Sequence, residues 1–182
     1  VDTDLQINEL LSWLLNNNGF KIYVLDANKD NIYLDNCFYI ENESETFVKG
    51  DYVKITLTMQ TGEPFWCEDV SYTYNNTNGF VIDNTSKYIV FPVFNIKVLD
   101  NTTSLKIKNI DDNFREFIIS YPNWLPGLEG VFDSLNNIAT INNVNVLEYT
   151  NGNFLRLKTG NNTIQISKNV DVIVKYKKYY TY

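Results

Sequence analysis

The 182-residue sequence contains no histidine and only two cysteines. Without histidine the chain lacks the commonest general base and the commonest metal ligand, which excludes imidazole-based triads and zinc sites. Cys37 and Cys67 are too few for a disulfide framework and form no C-x-x-C pair, so we predict two buried thiols. These absences predict a protein that is not an enzyme and that binds no cofactor or metal.

Positive charge and long apolar runs are also scarce. Fifteen basic residues stand against 22 acidic ones, for a net charge of -7, and only Arg115 and Arg156 are arginines. Nucleic-acid binding depends on clustered lysine and arginine, so we expect no nucleic-acid partner. The sequence shows no signal peptide and no apolar run of about 18 residues, so we expect no membrane insertion.

Aromatic residues, in contrast, are abundant. They make up 15% of the sequence, with 13 tyrosines and 11 phenylalanines, and asparagine is frequent as well. Aromatic residues favour strands and asparagine favours turns, which predicts a mostly β protein. The exception is a helix at about residues 4–18, where leucines and an isoleucine recur at three- and four-residue spacing on one face.

After this helix the apolar period changes to two. The first half is predicted to continue with strands at residues 20–25 and 32–40 and with a long strand, or a hairpin broken at Gly50-Asp51, at residues 46–59. The second half is predicted to contain short strands only. The turn-rich stretch at residues 75–79 is the candidate boundary between two domains, 1–79 and 80–182. The second-half strands are expected at residues 88–99, 104–110, 114–121, 131–132, 135–141, 144–148, 154–157, 163–166 and 170–176. Regular short strands of this kind predict a β-sandwich or barrel of about one hundred residues.

Three polar motifs resemble functional sites. Residues 26–30 match the start of a calcium loop, but Asn31 replaces its glycine and Cys37 its bidentate glutamate, so a hairpin turn explains them better. The oxygen-rich stretch at residues 109–113 is likewise predicted to be a tight turn. The lysines and tyrosines of residues 175–180 could form a stacking strip, but are better explained as the solvated face of a terminal strand.

Trp124 lies in the sequence Tyr121-Pro122-Asn123-Trp124-Leu125-Pro126-Gly127. The indole could be an exposed platform that stacks on a sugar ring, with Tyr121 beside it. Alternatively, a buried indole pins a loop that is bracketed by proline. The sequence leaves both interpretations open.

Residues Leu157 to Ile164 have the pattern Leu-x-x-Gly-x-Asn-x-Ile. In this run the second half resembles the phage tail protein family that includes the distal tail proteins of siphophages, whose pattern it fits position for position. A weaker resemblance in the first half involves Trp13-Leu14, the strand tip at residues 26–30 and Pro64-Phe65-Trp66. Further similar segments of the second half are residues 92–96, 105–109, 130–133, 153–166 and 172–180.

The resemblance implies a partial N-terminal α+β ring domain at residues 1–79 and a galectin-like antiparallel β-sandwich at residues 80–182. It implies a structural hub of the distal tail or baseplate that joins the tail tube to tip or receptor-binding proteins, as a homo-hexamer in the full-length protein. Part of the ring domain is then expected upstream of Val1. The expected location is the virion tail tip, or the bacterial cytoplasm during assembly or from a prophage.

The alternative function is a carbohydrate-binding module that acts in host adsorption. Lectins of the galectin fold use a histidine and arginine cluster around a stacking tryptophan. Histidine is absent here and no arginine is near Trp124 in sequence, so fold analogy does not transfer the lectin function.

Overall fold

The computed structural model describes residues 20–23, 32–42, 57–61 and 65–180. The chain divides into two compact units, Val1–Cys67 and Glu68–Tyr182. Within the described ranges every regular element is a strand except a 3₁₀ turn at Leu147–Tyr149, which confirms the prediction of a mostly β protein. The predicted helix at residues 4–18 and the calcium-loop match at residues 26–30 lie outside the described residues, as does most of the strand predicted at 46–59.

The described strands of the first unit are arranged around a central strand. They are β1 (Phe20–Tyr23), β2 (Tyr33–Asn42), β3 (Leu57–Thr61) and the first two residues of β4 (Trp66–Asn84). Strand β2 pairs antiparallel with the other three. Cys37 and Cys67 are 1% and 0% exposed, and each sulfur contacts a carbonyl oxygen, that of Leu34 at 3.6 Å and that of Phe65 at 3.4 Å. The prediction of two buried thiols is confirmed.

The second unit is organised around one long strand, β11. Its described elements are the rest of β4, then β5 (Val93–Val98), β6 (Leu105–Asn109), β7 (Arg115–Ile119), β8 (Glu129–Asp133), β9 (Ile138–Ile141), β10 (Val144–Asn145) and β11 (Gly160–Tyr180). The first half of β11 pairs with β6, where Ile164 lies opposite Asn109. Its second half pairs with β5, where Val172 lies opposite Ile96. Strand β7 continues from β6, and β8, β9 and β10 continue from β5, all antiparallel.

Apolar side chains from the two groups of strands meet in the interior of the second unit. The ring of Phe117 on β7 lies 5.0 Å from that of Phe132 on β8 and 5.0 Å from that of Phe154. On β11, Val172 and Val174 are buried while Ile173 is half-buried and Lys175 is exposed, so the predicted apolar side of this strand is confirmed. Each large side chain buried in this way stabilises the fold by about 1.5–3 kcal/mol. The second unit is therefore an antiparallel β-sandwich.

Three details of the strand prediction were wrong. Residues 75–79 form no turn between domains but lie within β4, where Asn76 adopts a left-handed conformation with φ 46°. Residues 163–166 and 170–176 form one strand, because polar residues 167–169 lie where β11 changes its partner from β6 to β5. Residues 154–157 make only one bridge, between Leu157 and Val90. The compact units divide after Cys67. The division of the chain into a ring domain at residues 1–79 and a galectin-like sandwich at residues 80–182 stays a prediction.

Candidate functional site

Trp124 lies in the loop between β7 and β8 and is 1% exposed. Its indole N–H donates to the carbonyl oxygen of Leu128 at 3.1 Å, and its ring meets that of Phe132 edge-on at 5.8 Å. The chain passes so close to the indole that a Cβ added at Gly130 would lie 2.6 Å from Cζ2. This geometry corresponds to the loop pinned by a buried indole, and a sugar could stack on Trp124 only if the loop opened.

Tyr121, the second predicted stacking residue, is half-buried. Its ring packs edge-on against that of Tyr149, with 5.3 Å between the centroids. Part of the Tyr121 ring is therefore covered by a neighbouring ring of the second unit. A stacking role for Tyr121 stays a prediction.

The oxygen-rich stretch at residues 109–113 forms the turn between β6 and β7, as predicted, and it also contributes to a buried polar network. The carboxylate of Asp112 is fully shielded from solvent. Arg156 binds it with two nitrogens, Nε to Oδ2 at 2.8 Å and Nη2 to Oδ1 at 3.2 Å, and Nζ of Lys158 lies 3.5 Å from Oδ1. The buried charge is thus compensated by two cations, a condition that buried carboxylates require.

Two buried asparagines extend this network. The side-chain amide of Asn109 donates to Oδ1 of Asn162 and to the carbonyl oxygen of Arg156, both at 2.9 Å. Asn162 donates to the carbonyl oxygens of Lys158 at 2.7 Å and Gly160 at 2.8 Å, and accepts from the N–H of Lys158. Asn162 is the asparagine of the family pattern, so that pattern is explained by a turn held by side-chain hydrogen bonds. We call the set Asn109, Asp112, Arg156, Lys158 and Asn162 the polar network.

Hydrogen bonding keeps the carboxylates of this turn ionised. The bonds from Arg156 hold the pKa of Asp112 below its usual value, against the opposing effect of burial. The pKa of Asp111 is also lowered, chiefly because its carboxylate accepts the backbone N–H of Thr163 at 2.5 Å. The β6–β7 turn is therefore tied to the start of β11 by charge-assisted hydrogen bonds, which are about twice as strong as neutral ones.

A polar cleft of about 420 Å³ opens beside the polar network. Both arginines of the chain line this cleft, although they are far apart in the sequence. Phe114, Asn151 and Asn153 also line it, and the Phe114 side chain is 61% exposed. We call it the arginine cleft. The cleft could not be predicted from the sequence, because no local spacing connects Arg115 with Arg156. The only sequence feature that the two residues share is that they are the two arginines of the chain.

The basic and aromatic residues at the end of β11 do not form one exposed strip. Tyr176 is 5% exposed and belongs to the interior, while Lys175 is exposed. The hydroxyl of Tyr180 donates to a carboxylate oxygen of Glu68, and burial followed by this interaction raises the pKa of Tyr180. Lys175 therefore lies on the predicted solvated face of the strand, and the side chains of Tyr176 and Tyr180 lie on the opposite face.

The described residues offer no ready metal site, since no three acidic or cysteine side chains are grouped there closely enough to hold an ion. In the same part of the chain, no helix has the length and apolar character needed to cross a membrane.

The family model described as siphovirus-type tail component, C-terminal domain, matches residues 85–180. The match spans more than half of the chain. The chain therefore belongs to the siphovirus-type tail component family, and the resemblance seen in the sequence is confirmed.

A solved structure gives the same assignment of the fold. The crystal structure of the Dit protein of phage SPP1, a paradigm of the hub adsorption apparatus in phages that infect Gram-positive bacteria, is similar to this chain with a TM-score of 0.71. The similarity covers 97% of this chain and 73% of the SPP1 chain at 14% sequence identity. No curated protein sequence matches the chain. Together the two matches identify a structural component of a siphophage tail.

Proposed function

We propose that this protein is a hub of the distal tail that joins the tail tube to tip or receptor-binding proteins. The observation that carries the proposal is the family match over residues 85–180, which covers most of the second unit. The similarity of fold to the SPP1 Dit protein, a hub protein, extends over 97% of the chain and supports the same role. The proposed role is noncatalytic and uses no cofactor.

The surface and charge of the chain are compatible with this role. Several large apolar side chains are exposed on the second unit, among them Phe91 at 45%, Leu135 at 62% and Val144 at 57%. Exposed apolar groups of this size provide contact area for neighbouring proteins. The net charge of -7 disfavours binding to DNA, which passes through the tail, so the proposed partners are proteins.

The full-length protein is proposed to assemble as a homo-hexamer, with the first unit contributing to a ring and the galectin-like sandwich projecting from it. The proposed location is the tail tip of the virion, with passage through the bacterial cytoplasm during assembly or expression from a prophage. Identical subunits that associate head to tail form a closed ring when the rotation between neighbours closes.

Two measurements test the hub. Gold-labelled antibodies against the second unit should bind virions at the tail end distal to the capsid, and antibodies against a capsid protein provide the control. Labelling along the whole tail or on the capsid would contradict the proposal. Sedimentation of the full-length protein should give a six-fold assembly, and a strict monomer at high concentration would refute the ring.

A further inference from the structure

We propose that the arginine cleft binds a sugar unit that carries an anionic group, either phosphate or carboxylate. This inference is independent of the hub function. The proposed sugar site is therefore not Trp124, which is buried, but a surface cleft that was not predicted from the sequence. This cleft combines an arginine without an ion pair among the described residues, polar groups in a fixed orientation and an exposed aromatic ring.

The arginine cleft is lined by both guanidinium groups of the chain and by two carboxylates, those of Asp112 and Glu116. The carboxylate of Asp112 is already bound by Arg156 and Lys158, and that of Glu116 lies 3.2 Å from Nζ of Lys106. Arg115 forms no ion pair with any described residue, so its charge is available to a ligand. An arginine fork matches the oxygens of a phosphate or a carboxylate.

The polar groups around this charge are held in place by bonds to the backbone. Nε of Arg115 donates to the carbonyl oxygen of Phe154 at 2.5 Å, which leaves both of its terminal nitrogens without an acceptor among the described residues. The amides of Asn151 and Asn153 both donate to the carbonyl oxygen of Glu116, at 2.9 and 3.1 Å. Oδ1 of Asn153 has no donor within the described part of the chain, so it can accept a hydroxyl. Groups oriented in advance lose little entropy when a ligand binds.

Phe114 supplies an apolar surface at the rim of the cleft. Its side chain is 61% exposed and its backbone adopts a left-handed conformation with φ 57°, which bulky residues rarely do. Asn113, with φ 52°, suits that conformation and Phe114 does not. Nζ of Lys108 lies 5.2 Å from the centroid of the phenylalanine ring and adds positive charge nearby. An exposed ring held in an unfavourable conformation is typical of binding sites, where strain is retained because the residue is used.

These three features together favour a sugar over a simple anion. Arg115 binds the anionic group, Oδ1 of Asn153 accepts a hydroxyl group, and the aromatic ring contacts the apolar face of the pyranose. The cleft volume of about 420 Å³ lies in the range of roughly 300–1,000 Å³ that is common for small-molecule sites.

Isothermal titration calorimetry of the whole chain tests the proposal with four small probes. Glucose 6-phosphate or glucuronate should bind saturably, and the tighter of the two identifies the anionic group. Glucose and inorganic phosphate should each bind at least about tenfold more weakly, because each lacks one of the interactions. An acidic peptide of aspartate and glutamate, added as a fifth titrant, tests whether the cleft instead receives a segment of a partner protein.

Two variants and one control complete the test. Arg115→Gln and Phe114→Gly should each weaken binding of the preferred sugar by about tenfold or more. Phe114→Gly keeps the experiment informative if Arg115→Gln does not fold, since glycine suits the left-handed backbone. Lys168→Gln, which removes one positive charge outside the cleft, should leave the affinity unchanged.

Four results would overturn the proposal. They are the absence of saturable binding by either anionic sugar, equal binding of inorganic phosphate with no effect of Phe114→Gly, affinity for the sugar that neither variant alters, and tighter binding of the acidic peptide than of both sugars.

Discussion

The apolar interior of the second unit and the Asp112 carboxylate of the polar network are both shielded from water, but different forces hold them. In the interior, the rings of Phe117 and Trp124 each pack against that of Phe132. In the polar network, Asp112 is bound by Arg156 and Lys158 at defined nitrogen-to-oxygen distances. Contacts between apolar surfaces tolerate small changes of shape, whereas a buried charge tolerates no loss of its partners.

This difference has a consequence for substitutions and for pH. Truncating a side chain in the interior lowers stability in proportion to the volume removed, and this loss of stability does not depend on pH. A truncated side chain in the polar network leaves its partner buried and unpaired, and the cost depends on protonation. Four predictions test the contrast, from the largest effect to the smallest.

The interior should respond most strongly to the loss of its largest side chain. Trp124→Ala should lower the free energy of unfolding by about 4 kcal/mol, because it removes a buried indole and leaves a cavity. Urea titration of the variant and the wild type measures the change. The adjacent Leu125, 52% exposed, provides the control, and Leu125→Ala should change stability by less than about 0.5 kcal/mol. Equal losses in the two variants would show that the indole does not pin the loop.

The polar network should be nearly as sensitive to the loss of its arginine. Arg156→Met should destabilise the protein by about 3 kcal/mol, because Asp112 remains buried with only Lys158 nearby. The matched control is Lys106→Met, which removes a cation from the exposed pair with Glu116 and should cost less than about 1 kcal/mol. If urea titration gives similar losses for the two variants, the polar network contributes no more than a surface ion pair.

Acid should weaken the polar network and spare the interior. The folded-state pKa of Asp112 is below its unfolded value, so its contribution is complete above the unfolded pKa and is lost as the pH falls through the folded pKa. Melting temperatures from pH 7 to pH 2 should therefore fall below about pH 4 in the wild type. The melting temperature of Asp112→Asn should fall less steeply with acid. Part of the fall should remain, because Asp111, whose pKa is also lowered, titrates in the same pH range. Parallel profiles of the variant and the wild type would contradict this interpretation.

The smallest effect is expected at the turn that carries Asp112. Phe114→Gly should stabilise the protein by about 0.5–1 kcal/mol, because glycine adopts the left-handed conformation without strain. Asn113→Gly is the control and should give a smaller gain, since asparagine already tolerates φ 52°. Thermal unfolding compares the three proteins. A marked loss of stability in Phe114→Gly would mean that the exposed ring packs on the sandwich more than it strains it.

The interior could be predicted from the sequence more fully than the polar network. Alternation of Val172 and Val174 with Ile173 and Lys175 is visible in the sequence because side chains on a strand alternate between its two faces. The bond between Asp112 and Arg156 joins residues 44 positions apart, and no local pattern connects them. Residues 75–79 were predicted to be a turn because asparagine is typical of turns. Asn76 does adopt the left-handed conformation that turns use, but it does so within strand β4.

Burial of Trp124 could not be decided from sequence, since an indole in a proline-bracketed loop fits either a platform or an anchor. Its environment depends on Gly130 and Leu128, which approach it only in the folded sandwich. The arginine cleft could not be predicted from the sequence either, because only the fold brings Arg115 and Arg156 together.

The pairing of β11 with both β5 and β6 also constrains the order of events during synthesis. On a ribosome, β5 and β6 emerge well before their shared partner, since Ile107 pairs with Ile166 and Val98 with Val170. Until β11 is made, both strands have one edge unpaired, a state that invites association with other chains. Closure of the sandwich is therefore expected to be slow and to follow translation of residues 160–180, so nascent chains benefit from a chaperone that covers those edges.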